Sequence, residues 1–396
     1  MKCNGSGKGL PELVGPAAFG IKMGVILPGI PVDEMIIERM SELNGEGLVD
    51  NGDILCITES VVARSQNNFI TLDMVAQEVG EKLGLQKDGS LGVVFPILSR
   101  NRFSPILRGL SRAVNSGKVT VQLSFPTDEV GNPILDDEIL KELGKGRVDT
   151  ITMADLQGFD YKHPLTGVNY IEFYQELITG EGAEAEIILS NDPLEILKYE
   201  PEGVIAADIH TCESTLSSLR EKFSNCISLK DLCCKGEKCS EWGLLGSNLS
   251  SGDKLKLLPR DGDSFVERLR KDIENATGKN IHVMIYGDGA YKDPESGIYE
   301  LADPKTTFGA TKELTDRYRD GIKYKFVADS LSEEGKSAED IERAMERVKK
   351  KGGERNCMET EGTTPRQLTD ILASLADLVS GSSDAGTPVV LVKNFF

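Results

Sequence analysis

Residues 261–294 set the strongest constraint on how this chain can fold, because they spell a helix, a strand and a tight polar turn with almost nothing between them. Phe265, Val266, Leu269 and Ile273 form an apolar stripe at helical spacing. Ser264 and Glu267 read as a capping box that opens the helix, and Thr277-Gly278-Lys279 reads as its stop. Residues 281–285 then read as a buried strand, which delivers its C-terminal end into Gly287-Asp288-Gly289. There the glycines let a ligand approach the backbone and Asp288 offers a carboxylate to a cation. Ligands of α/β sheets sit at the carboxyl ends of strands, so this turn is a candidate metal or phosphate site; an aspartate between two glycines serves equally well as a plain turn.

The same alternation of helix and strand runs along the chain and predicts an α/β protein with mixed sheets. Asp33 is placed to cap a helix over 34–43, and Gly52-Asp53 turns into a strand over 54–58 that Glu59 to Ser65 prolong. Arg64, at the end of that run, suits a phosphate because its planar fork binds oxyanions at two points, though an ordinary Arg–carboxylate pair fits it too. Helices are expected over 72–83, 106–114 and 171–179, and strands over 91–95, 119–123, 185–189 and 204–207. In the C-terminal part, 323–328 reads as a strand and Ser337 to Asp340 cap a helix through Lys351. Thr364 to Gln367 form another capping box before a buried helical face on Leu368, Leu372 and Ala376, and 389–393 is a closing strand. Residues up to Ala18, rich in Gly and Pro, are expected to be poorly ordered.

Charge narrows the function. With 64 acidic against 45 basic residues the net charge is −19, which argues against nucleic acid and anionic membrane as partners, since both require a cationic face. No apolar run approaches the roughly 20 residues that cross a bilayer, and the first nine residues lack the apolar core of a signal peptide, so a cytoplasmic location is expected. Against this acidic background Arg100 and Arg102 make a locally basic break suited to an anionic ligand. Asp208 and His210 follow a strand and are also well placed for a site. Five of the eight cysteines fall between Cys212 and Cys239, which leaves two readings: zinc held by the cluster, or buried free thiols, there being no Cys-x2-Cys pair in it.

Taken in order, several of these pieces resemble the gamma-glutamyl ligase family of coenzyme F-420 biosynthesis. The first half of the resemblance is Gly29-Ile-Pro-Val32, then Gly52-Asp-Ile-Leu through Val61-Val-Ala-Arg64-Ser65. The second is Gly246-Ser-Asn248, Leu257-Leu-Pro, Asp261 through the helix to Asp288, Asp370, and Gly381 to Lys393. The resemblance divides the chain into an N-terminal segment (1–18), a core in two parts (19–95 and 242–396) and, between those parts, an inserted α/β subdomain (96–241) that carries the cysteines.

What the resemblance implies is an amide ligase that uses GTP or ATP with Mg²⁺ or Mn²⁺ to add L-glutamate to a small carboxylate acceptor, in a homodimer. On this basis Asp288 and Asn248 would hold the metal, Asp288 and Arg64 would be catalytic, and Ser60, Arg64, Ser251, Gly381, Ser382 and Gly386 would contact the nucleotide. Arg100 and Arg102 would face the acceptor. The chain departs from the family at Asn248, where an aspartate is expected, at Ser251, at Arg64 in place of lysine, at Gly289 in place of threonine, and at Ser382. Those departures leave open a protein that binds a nucleotide or metabolite on the same fold without turning it over.

Overall fold

The computed structural model describes residues 10–11, 13–299, 301–319, 323–351, 366–380 and 386–396. Its first sheet has five strands in the order Ala17–Ile21, Val389–Lys393, Ile54–Thr58, His282–Tyr286 and Thr307–Ala310. Ile54–Thr58 and His282–Tyr286 run parallel at its centre, and the flanking pairs are antiparallel. Successive residues alternate between two apolar layers. Leu55, Ile57, Val283 and Ile285 pack with the helices Val32–Gly45 and Gly262–Thr277, whereas Ile54, Cys56, Met284 and Tyr286 pack under the helix Leu368–Ser380. Burial on both faces is why these strands read as continuous apolar runs.

The second sheet has six strands in the order Ile151–Thr152, Glu184–Leu189, Lys118–Leu123, Ser90–Val94, Gly203–Ala206 and Cys226–Ser228. All are parallel except the first. The chain enters at Ser90–Val94, builds outward in one direction, then returns to the other side of the same strand. This doubly wound order puts a topological switch between Ser90–Val94 and Gly203–Ala206, where α/β sheets open a ligand crevice at the strands' carboxyl ends. Ser90–Val94, which the sequence grouped with the first part of the core, therefore belongs to the second sheet, and the division expected at residue 96 falls inside this unit. A small antiparallel sheet of Asn248–Leu249, Lys254–Lys256 and Phe69–Thr71 lies between the two.

Four local expectations are corrected. Glu59–Ser65 does not prolong the strand but turns into a helix that buries Val61, Val62 and Ala63. Its β-branched residues suit either state, and packing decides. Residues 324–333 are a helix packed on the helix Ala338–Lys351, not a strand. Asp33 sits within the first turn of a helix whose N-cap is Pro31. Ser264 is likewise inside its helix, which starts after Asp261 at φ 55°. The Ser337 cap is present, with the Asp340 N–H donating to Ser337 Oγ at 3.2 Å. Of the box expected at 364–367, Thr364 and Pro365 lie outside the described residues, while Arg366–Gln367 form a strand.

Candidate functional site

The two parallel strands at the centre of the first sheet end together, Thr58 facing Tyr286, so Glu59 and Ser60 leave the sheet beside Gly287 and Asp288. Asp303, from the segment leading to the last strand, comes back to the same point, and its carboxylate accepts the Asp288 N–H at 3.0 Å. From the second sheet Arg102 reaches across. Its guanidinium donates to Asp288 at 2.8 and 3.1 Å and to Asp303 at 2.6 Å. Ala302 N–H adds a further bond to Asp288 at 3.1 Å. Beside them Lys256 donates to both oxygens of Glu59, at 2.7 and 2.6 Å, with both side chains buried. Asp377, on the helix Leu368–Ser380, accepts the Gly289 N–H at 3.0 Å.

Four carboxylates thus share a buried neighbourhood with two cations. Burial, and then the charge of Asp303, push the Asp288 carboxyl up to about 8 against the pull of Arg102. Burial also raises Glu59, opposed by Lys256, and raises Asp377. For Arg102 burial works against the charge, but Asp303 and Asp288 outweigh it and keep the guanidinium ionised. A carboxyl poised near neutral pH and a guanidinium fixed in a fork can respectively take a proton and hold an oxyanion.

The remaining candidates are dispersed. Arg64 lies in the last turn of the helix Glu59–Ser65, where Nε and Nη2 donate to the Ile26 carbonyl at 3.1 and 3.0 Å. Ser60 is half-buried in the first turn of that helix. Ser251 is exposed in the turn joining Asn248–Leu249 to Lys254–Lys256, and Gly386 is exposed at φ 64°. Gly381 and Ser382 lie outside the described residues. Asn248 pairs with Lys256 across the small sheet, and its neighbour Leu249 donates to the Asn101 carbonyl at 2.7 Å, so the strand abuts the Arg100–Arg102 loop.

The site does not fit a bound divalent ion as it stands. Its donors are hard oxygens, but Arg102 already fills the space between the two aspartates. Among the described residues no three His, Cys, Asp or Glu side chains converge as a metal ion requires. The same holds for zinc. Cys212, Cys226 and Cys233 are buried free thiols whose proton affinity is raised by that burial, Cys212 to about 11, and among the described residues they do not converge with other ligands as a metal ion requires. Cys234 and Cys239 are free and half-buried. Asp208 accepts from the hydroxyls of Thr211 and Thr215 at 2.7 and 2.8 Å, and His210 Nε2 lies 3.0 Å from the Leu301 carbonyl.

The sequence alone did not point to Glu59, Lys256 or Asp377, because a buried ion pair between two distant strand ends leaves no local pattern.

The family model described as F420-0:Gamma-glutamyl ligase matches residues 20–394. The chain belongs to the F420-0:gamma-glutamyl ligase family. A curated member of similar sequence is the coenzyme F420:L-glutamate ligase of Methanocaldococcus jannaschii, 28% identical over 158 residues, 40% of this chain and 48% of that protein. The chain thus spans about half the length of the curated F420 ligase it matches. Among the described residues no helix is long and apolar enough to cross a membrane.

Proposed function

We propose that this member of the F420-0:gamma-glutamyl ligase family is an amide ligase that joins L-glutamate, or a similar amino acid, to a small carboxylate acceptor at the expense of GTP or ATP. The observation that carries the reading is the buried charge group at the paired strand ends, Glu59–Lys256 and Arg102 with Asp288 and Asp303, in a chain matched along nearly its whole length by the family. A carboxylate does not acylate an amine unaided, because its oxygen is a poor leaving group. In the proposed reaction an acceptor carboxylate oxygen attacks the γ-phosphorus, the nucleoside diphosphate leaves, and an acyl phosphate remains. The amine nitrogen then attacks the acyl carbon, orthophosphate leaves and the ammonium gives up protons. The protein's part is alignment and charge.

On this reading Arg102, once released from Asp288 and Asp303, holds oxyanions in its fork, and Asp288, whose proton affinity is raised by burial and by Asp303, accepts the amine proton after that fork has left it. Arg64, Ser60, Ser251 and the Gly386 loop are the proposed nucleotide contacts. Mg²⁺ or Mn²⁺, which the family resemblance implies, would have to displace Arg102 from Asp288 to be held there with Asn248. That engagement of Asp288 favours one alternative, a protein that binds the nucleotide or a metabolite without turnover.

Phosphate release by the full chain, with GTP or ATP, Mg²⁺ or Mn²⁺, glutamate and a panel of carboxylates, decides between them when paired with mass spectrometry for the new amide. Release that depends on both co-substrates and matches amide formed supports the ligase. Calorimetric nucleotide binding with no release under any combination supports the alternative.

A further inference from the structure

The strand Gly203–Ala206, on one side of the topological switch, runs out into Asp208, Ile209 and His210, and a carboxylate from a neighbouring turn fixes that exit. Glu129 accepts the Ile209 N–H at 2.6 Å and the His210 N–H at 2.8 Å. With its backbone held, His210 turns its imidazole to the first sheet's unit, where Nε2 lies 3.0 Å from the Leu301 carbonyl. A carbonyl only accepts, so Nε2 carries the proton and donates it. The turn that presents Glu129 holds the same stretch of chain twice more. The Val130 carbonyl accepts the Tyr299 N–H at 2.8 Å, and Gly131, at φ 86°, is so close to Gly297 that a Cβ on it would stand 2.6 Å from the Gly297 carbonyl oxygen. Residues 297, 299 and 301 are thus each held from the second sheet. The two residues after them complete the charge group. Ala302 N–H donates to Asp288 at 3.1 Å, and Asp303 accepts from Arg102 at 2.6 Å and from the Asp288 N–H at 3.0 Å.

We propose that His210 is a positioning residue for the charge group: through the Leu301 carbonyl it sets where Ala302 and Asp303 meet Asp288, so that the strand ends of the first sheet are aligned from the second. Its effect on the reaction rests on the ligase reading; its hold on Ala302 does not. Of the three contacts at 297, 299 and 301 only this one is made by a side chain, so it alone can be removed without touching the backbone. The margin is small. A bond already at 3.1 Å is lost beyond about 3.5 Å, so a shift of a few tenths of an ångström at Leu301 is enough to part Ala302 from Asp288.

The test reads amide hydrogen exchange in the full chain, residue by residue and without nucleotide. In His210→Ala the Ala302 amide is expected to exchange about fivefold faster, as the loss of one net hydrogen bond allows, while the amides of the central strand His282–Tyr286 keep their rates. His210→Gln, whose side-chain NH₂ can donate to the same carbonyl, should bring Ala302 most of the way back. His210 is exposed, and melting temperatures check that both variants stay folded. Ala302 exchange unmoved by His210→Ala would overturn the proposal. So would acceleration spread evenly over the central strand, the mark of a merely structural loss, or a His210→Gln protein no better than the alanine variant. In the phosphate-release assay His210→Ala should lower kcat severalfold and leave the KM for nucleotide in place. A wild type that never forms an amide sinks the ligase reading alone, because the exchange result stands without it. Unchanged kcat in a variant whose Ala302 is loosened sinks the role in the reaction alone.

Discussion

The guanidinium of Arg102 donates to both oxygens of Asp288, at 2.8 and 3.1 Å, and so ties the carboxyl end of the second sheet to that of the first. The same group serves Asp303, whose side chain is 1% exposed. Arg102→Gln therefore strands a buried carboxylate, and a loss of about 3–5 kcal/mol is expected in urea unfolding. Arg102→Lys should recover only part, since one ammonium does not reproduce a fork across two carboxylates. Mn²⁺ should raise the melting temperature of Arg102→Gln and leave the wild type unmoved, because the guanidinium occupies the space between the aspartates. A wild-type protein stabilised by Mn²⁺ alone would show that metal and Arg102 do not compete.

Glu59 and Lys256 are a second buried pair, 2.6 Å apart, with side chains 9% and 4% exposed. Removing one partner leaves the other charged and dry. Lys256→Met alone is expected to cost about 3–5 kcal/mol, while Lys256→Met with Glu59→Gln should cost clearly less than the sum of the two single changes. A double-mutant cycle in urea measures the coupling. Additive costs would mean that the two side chains do not stabilise one another.

How much of this was legible in the sequence depends on the range of the forces involved. The strands Ile54–Thr58, His282–Tyr286 and Val389–Lys393 were readable because burial on both faces writes a run of apolar residues into the chain. Asp288 was readable because glycines flank it after such a strand. Glu59–Ser65 was misread because a seven-residue segment with three consecutive apolar residues, Val61 to Ala63, carries no decisive period, and what turns it into a helix is the end of the sheet at Thr58. The partnership of Arg102 with Asp288 joins residues 186 positions apart, and nothing local encodes it.

Residues 261–264 separate a local rule from its tertiary override. A capping box at Ser264 would make Ser264→Ala cost about 1 kcal/mol. In the structure Ser264 is an exposed residue inside the helix, and a change within about 0.5 kcal/mol is expected instead. Gly262 carries the constraint: a Cβ there would collide with the Phe308 carbonyl oxygen, and a Cβ on Gly309 would lie 2.5 Å from the Gly262 carbonyl carbon. Gly262→Ala should therefore push the helix off the edge strand and cost several times more than Ser264→Ala in the same unfolding experiment. Equal costs would show that the helix begins at Ser264 after all.

Asp128 links pH to the turn that presents Glu129 and Val130. It is 6% exposed, and its carboxylate accepts from the N–H groups of Leu98, Val130 and Asn132 at 2.7, 3.1 and 2.7 Å, and from the Asn132 side chain at 2.8 Å. Burial, the larger influence, pushes it up to about 6, while those donors pull it down. A carboxyl raised on folding holds its proton more tightly in the native state, so its contribution is complete below the ordinary value near 4 and fades as pH climbs through about 6. Asp128→Asn removes the titration and turns an NH₂ toward groups that are all donors, so the variant should be less stable throughout. The wild type's advantage should narrow between pH 4.5 and 7, by no more than about 1.4 kcal/mol per pH unit. Urea midpoints of both proteins across that range give the sign directly. An advantage that widens with pH would mean the four hydrogen bonds outweigh burial and the carboxylate is held charged.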